Sequence, residues 1–166
     1  MNMQPELFKS NLGITSSAMF SPCRLYRYAL WRDWNANPAC VFIGLNPSTA
    51  DETNDDPTIR RCIEFARSWG YGSICMLNLF AFRSTDPKAM LKASEPVGPD
   101  NDEVIREACS GAAVVVAAWG KRGQHMGRDR KVLAMVRDLK CLKVNQDGTP
   151  QHPLYLPATL TPIHYT

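Results

Sequence analysis

Hydrophobic positions along the chain follow two spacings, short β-rich runs and longer stretches in which apolar residues share one helical face. The runs predict strands over residues 24–34, 39–45, 73–79, 112–119, 141–144 and 153–156. The helical spacings predict helices over residues 57–69, 87–93 and 128–139, and a further helix that begins after Pro99-Asp100-Asn101. Because strands alternate with helices after residue 39, the pattern predicts an α/β protein, a three-layer α/β/α sandwich with a mainly parallel central sheet.

One domain is expected, since 166 residues, 45% of them hydrophobic, can bury a sizeable core. Residues 1–20 carry weak patterns and are expected to be an N-terminal arm, with the single domain over residues 21–166. The net charge is 19 − 16 = +3, which permits a nucleic-acid or nucleotide partner without requiring one. No two of the six cysteines lie within four residues of each other, so we expect reduced core thiols, no metal and no cofactor.

No segment has the pattern of a membrane span or an export signal. The longest apolar run, residues 112–119, is far short of the ~20 residues that a spanning helix needs. The first ten residues contain an acid and no apolar run, unlike a signal peptide. We therefore predict a cytoplasmic protein with no membrane partner, and we expect a monomer.

The connection between the predicted strand 39–45 and the helix after it is longer and more polar than an ordinary turn. It contains, in order, Asn46, Pro47, Ser48, Thr49, Asp51, Glu52, Asp55 and Asp56. Asp56 is placed to cap the helix. The other acids are open to three interpretations: a solvated face, a divalent-cation site, or ligands for a sugar hydroxyl. We interpret the connection as a site loop in which Asn46-Pro47 shapes the pocket floor.

Chemically versatile side chains stand at the exits of the predicted strands: Asn46, Asn78, Trp119 and, beside the last segment, His152. Ligands of parallel α/β sheets bind beyond the carboxyl ends of the strands. A carboxamide offers two donors and one acceptor, which suits the Watson–Crick edge of a nucleobase, and aromatic rings offer a stacking face. These exits therefore predict a nucleobase-binding edge.

The segments at these exits, "GLNPS", "CMLN", "VVVAAWG" and "HPLYLP", resemble in order and approximate spacing the motifs of the uracil-DNA glycosylase superfamily, over about residues 39–157. The chain also resembles a family of uncharacterised bacterial and phage proteins with a domain of unknown function, through "LNPSTAD", "DDPTIRRC", "NLFAFRSTDP", "GPDND", "AWG" and "HPLYLP". The first resemblance implies a glycosylase-like fold and an N-glycosylase that hydrolyses a modified or deaminated base from DNA in base-excision repair.

The glycosylase resemblance also implies a role for each matching residue. Asn46 would position the attacking water, although a carboxamide cannot act as a general base. His152 would donate to the base oxygen that gains negative charge as the glycosidic bond breaks. Leu156 would be the wedge that fills the place of a flipped nucleotide. The base contacts would come from Asn78, Phe80 and Pro47.

Five basic residues follow Trp119-Gly120 within residues 121–131. The predicted phosphate contacts are Ser48, Lys121, Arg122, Arg128 and Arg130. Acids packed beside a DNA groove would repel phosphates, so an alternative stays open: a protein or enzyme that binds a free nucleotide or another phosphorylated small molecule on the same fold. A structural or partner-binding module is the third interpretation, preferred if Asn46, Asn78 and His152 do not face one pocket.

Overall fold

Strands and helices alternate through most of the chain. The computed structural model describes the backbone of Phe8–Lys9 and residues 13–165. These residues contain eight strands, β1 Phe8–Lys9, β2 Thr15–Phe20, β3 Arg27–Asp33, β4 Ala39–Gly44, β5 Ser73–Asn78, β6 Val114–Ala117, β7 Lys140–Cys141 and β8 Ile163–His164. The same residues contain four α-helices, α1 Pro57–Ser68, α2 Pro87–Lys92, α3 Asn101–Ser110 and α4 Arg128–Met135, and the 3₁₀ segments Lys121–Gly127 and Pro153–Tyr155.

The strands form one mixed sheet in the order β1-β2-β3-β5-β4-β6-β7-β8. The central strands β5, β4, β6 and β7 are parallel, whereas β1, β2, β3 and β8 join by antiparallel pairs. The α/β class is therefore confirmed, but the predicted mainly parallel sheet is limited to the four central strands. The alternation of strands and helices starts only after residue 39, and β2 and β3 are joined by a connection too short for a parallel crossover.

Helices cover both faces of the sheet. Successive residues of β4 point to opposite faces, so Phe42 packs with Ile59 of α1, and Ile43 belongs to the cluster that contains Ile105 of α3 and Val132 of α4. The cysteines are free thiols, and Cys40, Cys62, Cys75 and Cys141 are buried as small apolar residues. The two apolar clusters hold the sheet rigidly beneath its carboxyl edge.

The parallel register brings the exits of three strands together. Gly44 of β4 lies beside Asn78 of β5, and Ile43 lies beside Ala117 of β6. The loops that follow these strands consequently leave the sheet at one edge, where ligands of such sheets bind.

Two segments differ from their predicted structure. The segment predicted as a strand over residues 153–156 contains a 3₁₀ turn, because Pro153 has no N–H for a sheet ladder and His152 Nδ1 accepts a hydrogen bond from Leu154 N. Residues 15–20 of the predicted arm form β2, which pairs along β3. Apart from the backbone of Phe8–Lys9, the arm before residue 13 lies outside the described residues. No helix among the described residues is long and apolar enough to cross a membrane.

Candidate functional site

A cavity of about 210 Å³ lies at the carboxyl edge of β4, β5 and β6. Six residues singled out in the sequence line it, namely Asn46, Ser48, Asp56, Asn78, Trp119 and His152. The cavity is smaller than the about 300–1,000 Å³ of pockets for drug-sized ligands. It is therefore suited to a small polar ligand rather than to a dinucleotide.

Asn46 is held in one orientation by the backbone around it. Its Nδ2 group donates to the carbonyls of Pro47 at 3.1 Å, Ser84 at 3.0 Å and Phe82 at 3.4 Å. These contacts occupy the donor end of the carboxamide. The Oδ1 atom is thus the end that Asn46 can offer to a ligand or a water, as a hydrogen-bond acceptor.

Asn78 is buried, at 2% exposure, and its Nδ2 group has no partner among the described residues. Asn101 of α3 supports it from behind, because Asn101 Nδ2 donates to the carbonyls of Asn78 at 3.0 Å and Leu79 at 3.1 Å. A Cβ atom on the neighbouring Gly44 would lie only 2.9 Å from Asn78 Oδ1. Glycine at position 44 therefore preserves the space that the Asn78 side chain occupies.

His152 faces the cavity in a defined tautomer. Its Nδ1 atom accepts from Leu154 N at 3.2 Å, so in the neutral imidazole the proton is on Nε2. Burial lowers the pKa of His152 below its ordinary value of 6.5, and the negative charge of Asp56 opposes that shift. His152 is therefore a neutral N–H donor at pH 7.

Two further donors in the cavity wall lack partners. Trp119 Nε1 and Arg27 Nε are buried without a hydrogen-bond acceptor among the described residues. The Trp119 ring is fixed edge-on against Tyr165, with ring centres 5.9 Å apart. Together with Asn78 and His152, these residues make the cavity rich in N–H donors, so it favours a ligand with several acceptor oxygens.

The acids of the site loop hold the loop itself. Asp51 Oδ1 accepts from the backbone N–H groups of Thr53 at 2.9 Å and Asn54 at 2.8 Å, which is a local turn. Glu52 pairs with Arg24 at 2.8 Å, and Asp55 pairs with Arg32 at 2.8 Å. These contacts give the three acids a structural role, which is none of the three interpretations that the sequence left open.

Asp56 combines a structural contact with a place in the cavity. Its Oδ1 atom accepts from Ile59 N at 2.9 Å and caps α1, as the sequence predicts. No described residue donates to Oδ2, and the residue lines the cavity. A carboxylate therefore lines the same cavity as the carboxamide of Asn46.

Three of the predicted base-contacting or wedge residues do not reach the cavity. Phe80 is fully buried in the core and packs against His125 with ring centres 5.5 Å apart. Pro47 is buried beneath the loop, where its carbonyl accepts from Ser84 N. Leu156 is 4% exposed in the cluster that contains α1, so it cannot act as a wedge in this conformation. Its neighbour Tyr155 is instead 85% exposed.

Arg128 does not have the exposed position that its predicted phosphate contact requires. Its side chain is buried, Nε donates to the Leu79 carbonyl at 2.7 Å, and Nη2 lies 2.5 Å from Asp102 Oδ1. The same carboxylate pairs with Lys131 at 2.9 Å. Arg128 therefore ties α4 to α3 and β5 and does not reach a surface phosphate. Lys121, Arg122 and Arg130 are exposed and do not line the cavity.

Sequence reasoning missed Arg27 as a site residue, although it placed Trp119 at one of the strand exits that face the site. A charged residue inside the predicted strand 24–34 was the available signal for Arg27, because a buried charge needs a partner. The hydroxyl residues Thr58, Ser84 and Thr85, which also line the cavity, had no distinguishing pattern. Within the described part of the chain, no group of three or more His, Cys, Asp or Glu side chains could hold a metal ion.

The fold and the cavity define an α/β protein with a polar cavity at the carboxyl edge of its parallel strands. The chain belongs to the family described as "Protein of unknown function (DUF1643)", whose model matches residues 27–154. The match begins at Arg27 and includes the cavity-lining residues from there to His152. No curated protein and no solved structure matches the chain.

Proposed function

We propose that the protein recognises a nucleobase in this cavity and hydrolyses its N-glycosidic bond, as a uracil-DNA glycosylase-like enzyme acting on a modified or deaminated base. The observation that carries the proposal is that Asn46, Asn78 and His152, from three separate segments, line one cavity. Each retains hydrogen-bonding capacity for a ligand. The proposed fold likeness to the glycosylase superfamily depends on the same arrangement.

Base recognition is assigned to Asn78. Its unpartnered Nδ2 donor and its Oδ1 acceptor match a base edge that has a carbonyl beside a ring N–H. Support by Asn101 and the space left at Gly44 hold the carboxamide in place.

His152 is assigned to the leaving base. When the bond between the sugar carbon C1′ and the base nitrogen breaks, its electron pair stays on the base and negative charge develops on the base oxygens. The Nε2–H group of neutral His152 can donate to such an oxygen, which stabilises the charge without a proton transfer.

Asn46 and Asp56 are assigned to the orientation and deprotonation of the attacking water. The Oδ1 atom of Asn46 accepts one water hydrogen and orients the water oxygen toward C1′. The free Oδ2 atom of Asp56 accepts the proton that the water loses, and the departing base is protonated from solvent. Asp56 thereby supplies the proton acceptor that Asn46 lacks.

The nucleic-acid partner is part of the proposal. Lys121 and Arg122 follow the cavity residue Trp119 in the chain, and Arg130 is exposed on α4. We assign these three side chains to phosphates of the strand that carries the base. The exposed Tyr155 is a candidate for stacking on a neighbouring base, in place of the buried Leu156.

The test is release of base from oligonucleotides that contain uracil, hypoxanthine or xanthine, scored as abasic sites. The wild type should produce them, whereas Asn46→Ala and His152→Ala should lose the activity and keep the circular dichroism spectrum of the wild type. Ser110→Ala, at an exposed position on α3 outside the cavity, is the matched control and should be fully active. Absence of abasic sites with every substrate, from folded wild type, would contradict the proposal.

A second candidate is a protein that binds a free nucleotide, and one observation favours it: the buried guanidinium of Arg27 in the cavity wall. Thermal shifts with nucleotides, with and without Mg²⁺, separate the two functions. Strong stabilisation by mononucleotides without any base release would favour the second candidate. Salt-sensitive oligonucleotide binding with base release would favour the first.

A further inference from the structure

Three arginines are almost completely buried, and one of them has no counter-charge at contact distance. Arg32 pairs with Asp55, and Arg128 pairs with Asp102. Arg27 has no carboxylate within 4.0 Å among the described residues, and its one side-chain hydrogen bond runs from Nη1 to the Ala50 carbonyl at 2.7 Å. Burial of an unpaired guanidinium is unfavourable, so its position requires a compensating contact.

Arg27 faces a cavity that can supply that contact from a ligand. The residue lines the cavity, is 2% exposed, and leaves Nε without an acceptor among the described residues. Burial lowers the pKa of Arg27 to about 10, with the charge of Asp56 acting in the opposite direction, so the guanidinium is still charged at pH 7. A fixed positive charge therefore faces the interior of the site.

The surroundings of Arg27 suit an oxyanion. Thr58, the second residue of α1, lines the cavity, and a backbone N–H at this position has no acceptor within the helix. The hydroxyl residues Ser48 and Thr85 line the same cavity. Asp56 also lines the cavity, and its carboxylate can accept from a ligand hydroxyl or from the proton of a phosphate monoanion.

We infer that Arg27 and the N-terminus of α1 form an oxyanion subsite that binds a phosphate group of the ligand inside the cavity. The inference rests on the proposed nucleobase site and specifies its ligand as a phosphorylated nucleoside, either a free nucleotide or a nucleotide unit of a strand. Arg27 is the residue that distinguishes the nucleotide from the unphosphorylated nucleoside.

The test is calorimetric titration of the full chain with uridine 5′-monophosphate, uridine and inorganic phosphate. The monophosphate should bind wild type about 10- to 100-fold more tightly than uridine, the range expected for hydrogen bonds to a charged group. Arg27→Met should abolish that preference and leave uridine binding unchanged. Arg106→Met, which removes an exposed arginine of α3 outside the cavity, is the matched control and should keep the preference.

If Arg27→Met does not fold, an NMR titration that uses Arg27→Lys for the assignment provides a second test. Inorganic phosphate should shift the NMR resonance of the Arg27 Nε–H group in wild type, a signal assigned by its absence from Arg27→Lys. Equal binding of monophosphate and uridine by wild type, or an Arg27 resonance that phosphate does not move, would overturn the inference.

Binding measurements and base-release assays distinguish the source of the phosphate from the correctness of the proposed function. If Arg27→Met weakens the binding of a uracil-containing single-stranded oligonucleotide as much as the binding of the free monophosphate, the subsite accepts a phosphate from either source. If the substitution weakens the binding of only one of these ligands, that ligand is the source. Phosphate binding through Arg27 without base release would support the subsite and reject the hydrolase. Base release with unchanged phosphate binding in Arg27→Met would support the hydrolase and reject the subsite.

Discussion

Arg27 and Arg128 are buried to the same extent, at 2% exposure, but the regions around them differ. Beneath α4, Arg128 meets Asp102 and the Leu79 carbonyl, and Lys131 completes the pairing of the carboxylate. At the cavity wall, Arg27 contacts only the Ala50 carbonyl and leaves Nε unpaired within the described residues. A region whose charges are matched internally holds the fold together, whereas a region with an unmatched buried charge can take its partner from a ligand.

The same distinction separates the acids of the site loop. The carboxylate of Asp55 is paired with Arg32, and Arg32 also donates to the carbonyls of Asp51 at 2.6 Å and Asn54 at 3.3 Å. Asp56 keeps one carboxylate oxygen without a donor from the described residues and lies in the cavity. Neighbours in sequence with the same charge therefore have different roles, and substitutions can separate them.

The largest effect is expected from breaking the matched region. Asp102→Asn leaves the guanidinium of Arg128 buried with only the Leu79 carbonyl as a strong partner, so the free energy of unfolding should fall by about 3–5 kcal/mol. Urea denaturation monitored by circular dichroism measures the change. Lys131→Met removes the exposed partner of the same carboxylate and should cost less than about 1 kcal/mol. Equal losses of unfolding free energy in the two variants would contradict a special contribution of the buried Arg128–Asp102 pair to stability.

The next effect concerns catalysis in the cavity. His152→Ala should lower the rate of base release by about 10²–10³-fold, because it removes the donor proposed to stabilise the leaving base. Single-turnover kinetics on a uracil-containing oligonucleotide measures the rate of the chemical step. His164→Ala, at an exposed histidine of β8, is the control and should react at the wild-type rate. A His152→Ala rate within twofold of wild type would remove this residue from the mechanism.

The exposed basic residues should affect binding more than chemistry. Neutralising Arg122 and Arg130 together should weaken nucleic-acid binding about equally for all sequences and reduce the salt slope by about one unit per lost contact. Affinity measured at several salt concentrations tests this, and base preference should be retained. An unchanged slope would mean that the two arginines are only part of the solvated surface.

A smaller effect is expected on the stability of the unmatched region. Arg27→Met should change the free energy of unfolding by less than about 1 kcal/mol, because the substitution removes a buried charge while it leaves only the Ala50 carbonyl without its donor. Urea denaturation without added phosphate is the measurement. A loss as large as that of Asp102→Asn would indicate that Arg27 has a structural role like that of Arg128.

The smallest effect is a pH dependence from His152. Burial lowers its pKa in the folded protein below 6.5, so the unfolded chain binds more protons as the pH falls below that value. The stability contributed by the neutral imidazole is complete above about pH 6.5 and is lost as the pH falls through the lower folded pKa. Urea denaturation at pH 7.5, 6.5 and 5.5 should therefore show a flatter pH dependence for His152→Asn than for wild type. Parallel curves for the two proteins would contradict the shift.

Much of the fold could be predicted from local patterns. The cap of α1 at Asp56 follows from residues a few positions apart, and the structure confirms it. The antiparallel pairing of β2 along β3 could not be predicted, because residues 15–20 carry a weak hydrophobic pattern and gain their place only from the neighbouring strand. The 3₁₀ turn at Pro153 was misread as a strand since short apolar segments have no distinctive period.

The candidate site was predicted in outline and misassigned in detail. Asn46, Asn78 and His152 line one cavity because each stands at an exit toward the same edge of the sheet, which the order of elements already implies. Phe80 and Leu156 resemble site residues in the chain, but their side chains turn into the two apolar clusters. Which way a residue faces depends on packing against segments that are distant in sequence.

The sequence by itself determined the order of strands and helices and the edge at which polar side chains gather, because hydrophobic periodicity and strand exits are local properties. Only the tertiary structure decided which charges are matched. Arg32 pairs with Asp55 of the site loop and Arg128 pairs with Asp102 of α3, while Arg27, in the same strand as Arg32, has no carboxylate within 4.0 Å among the described residues. The pairing of buried charges depends on contacts between segments that are distant in sequence, so it cannot be predicted from local sequence patterns.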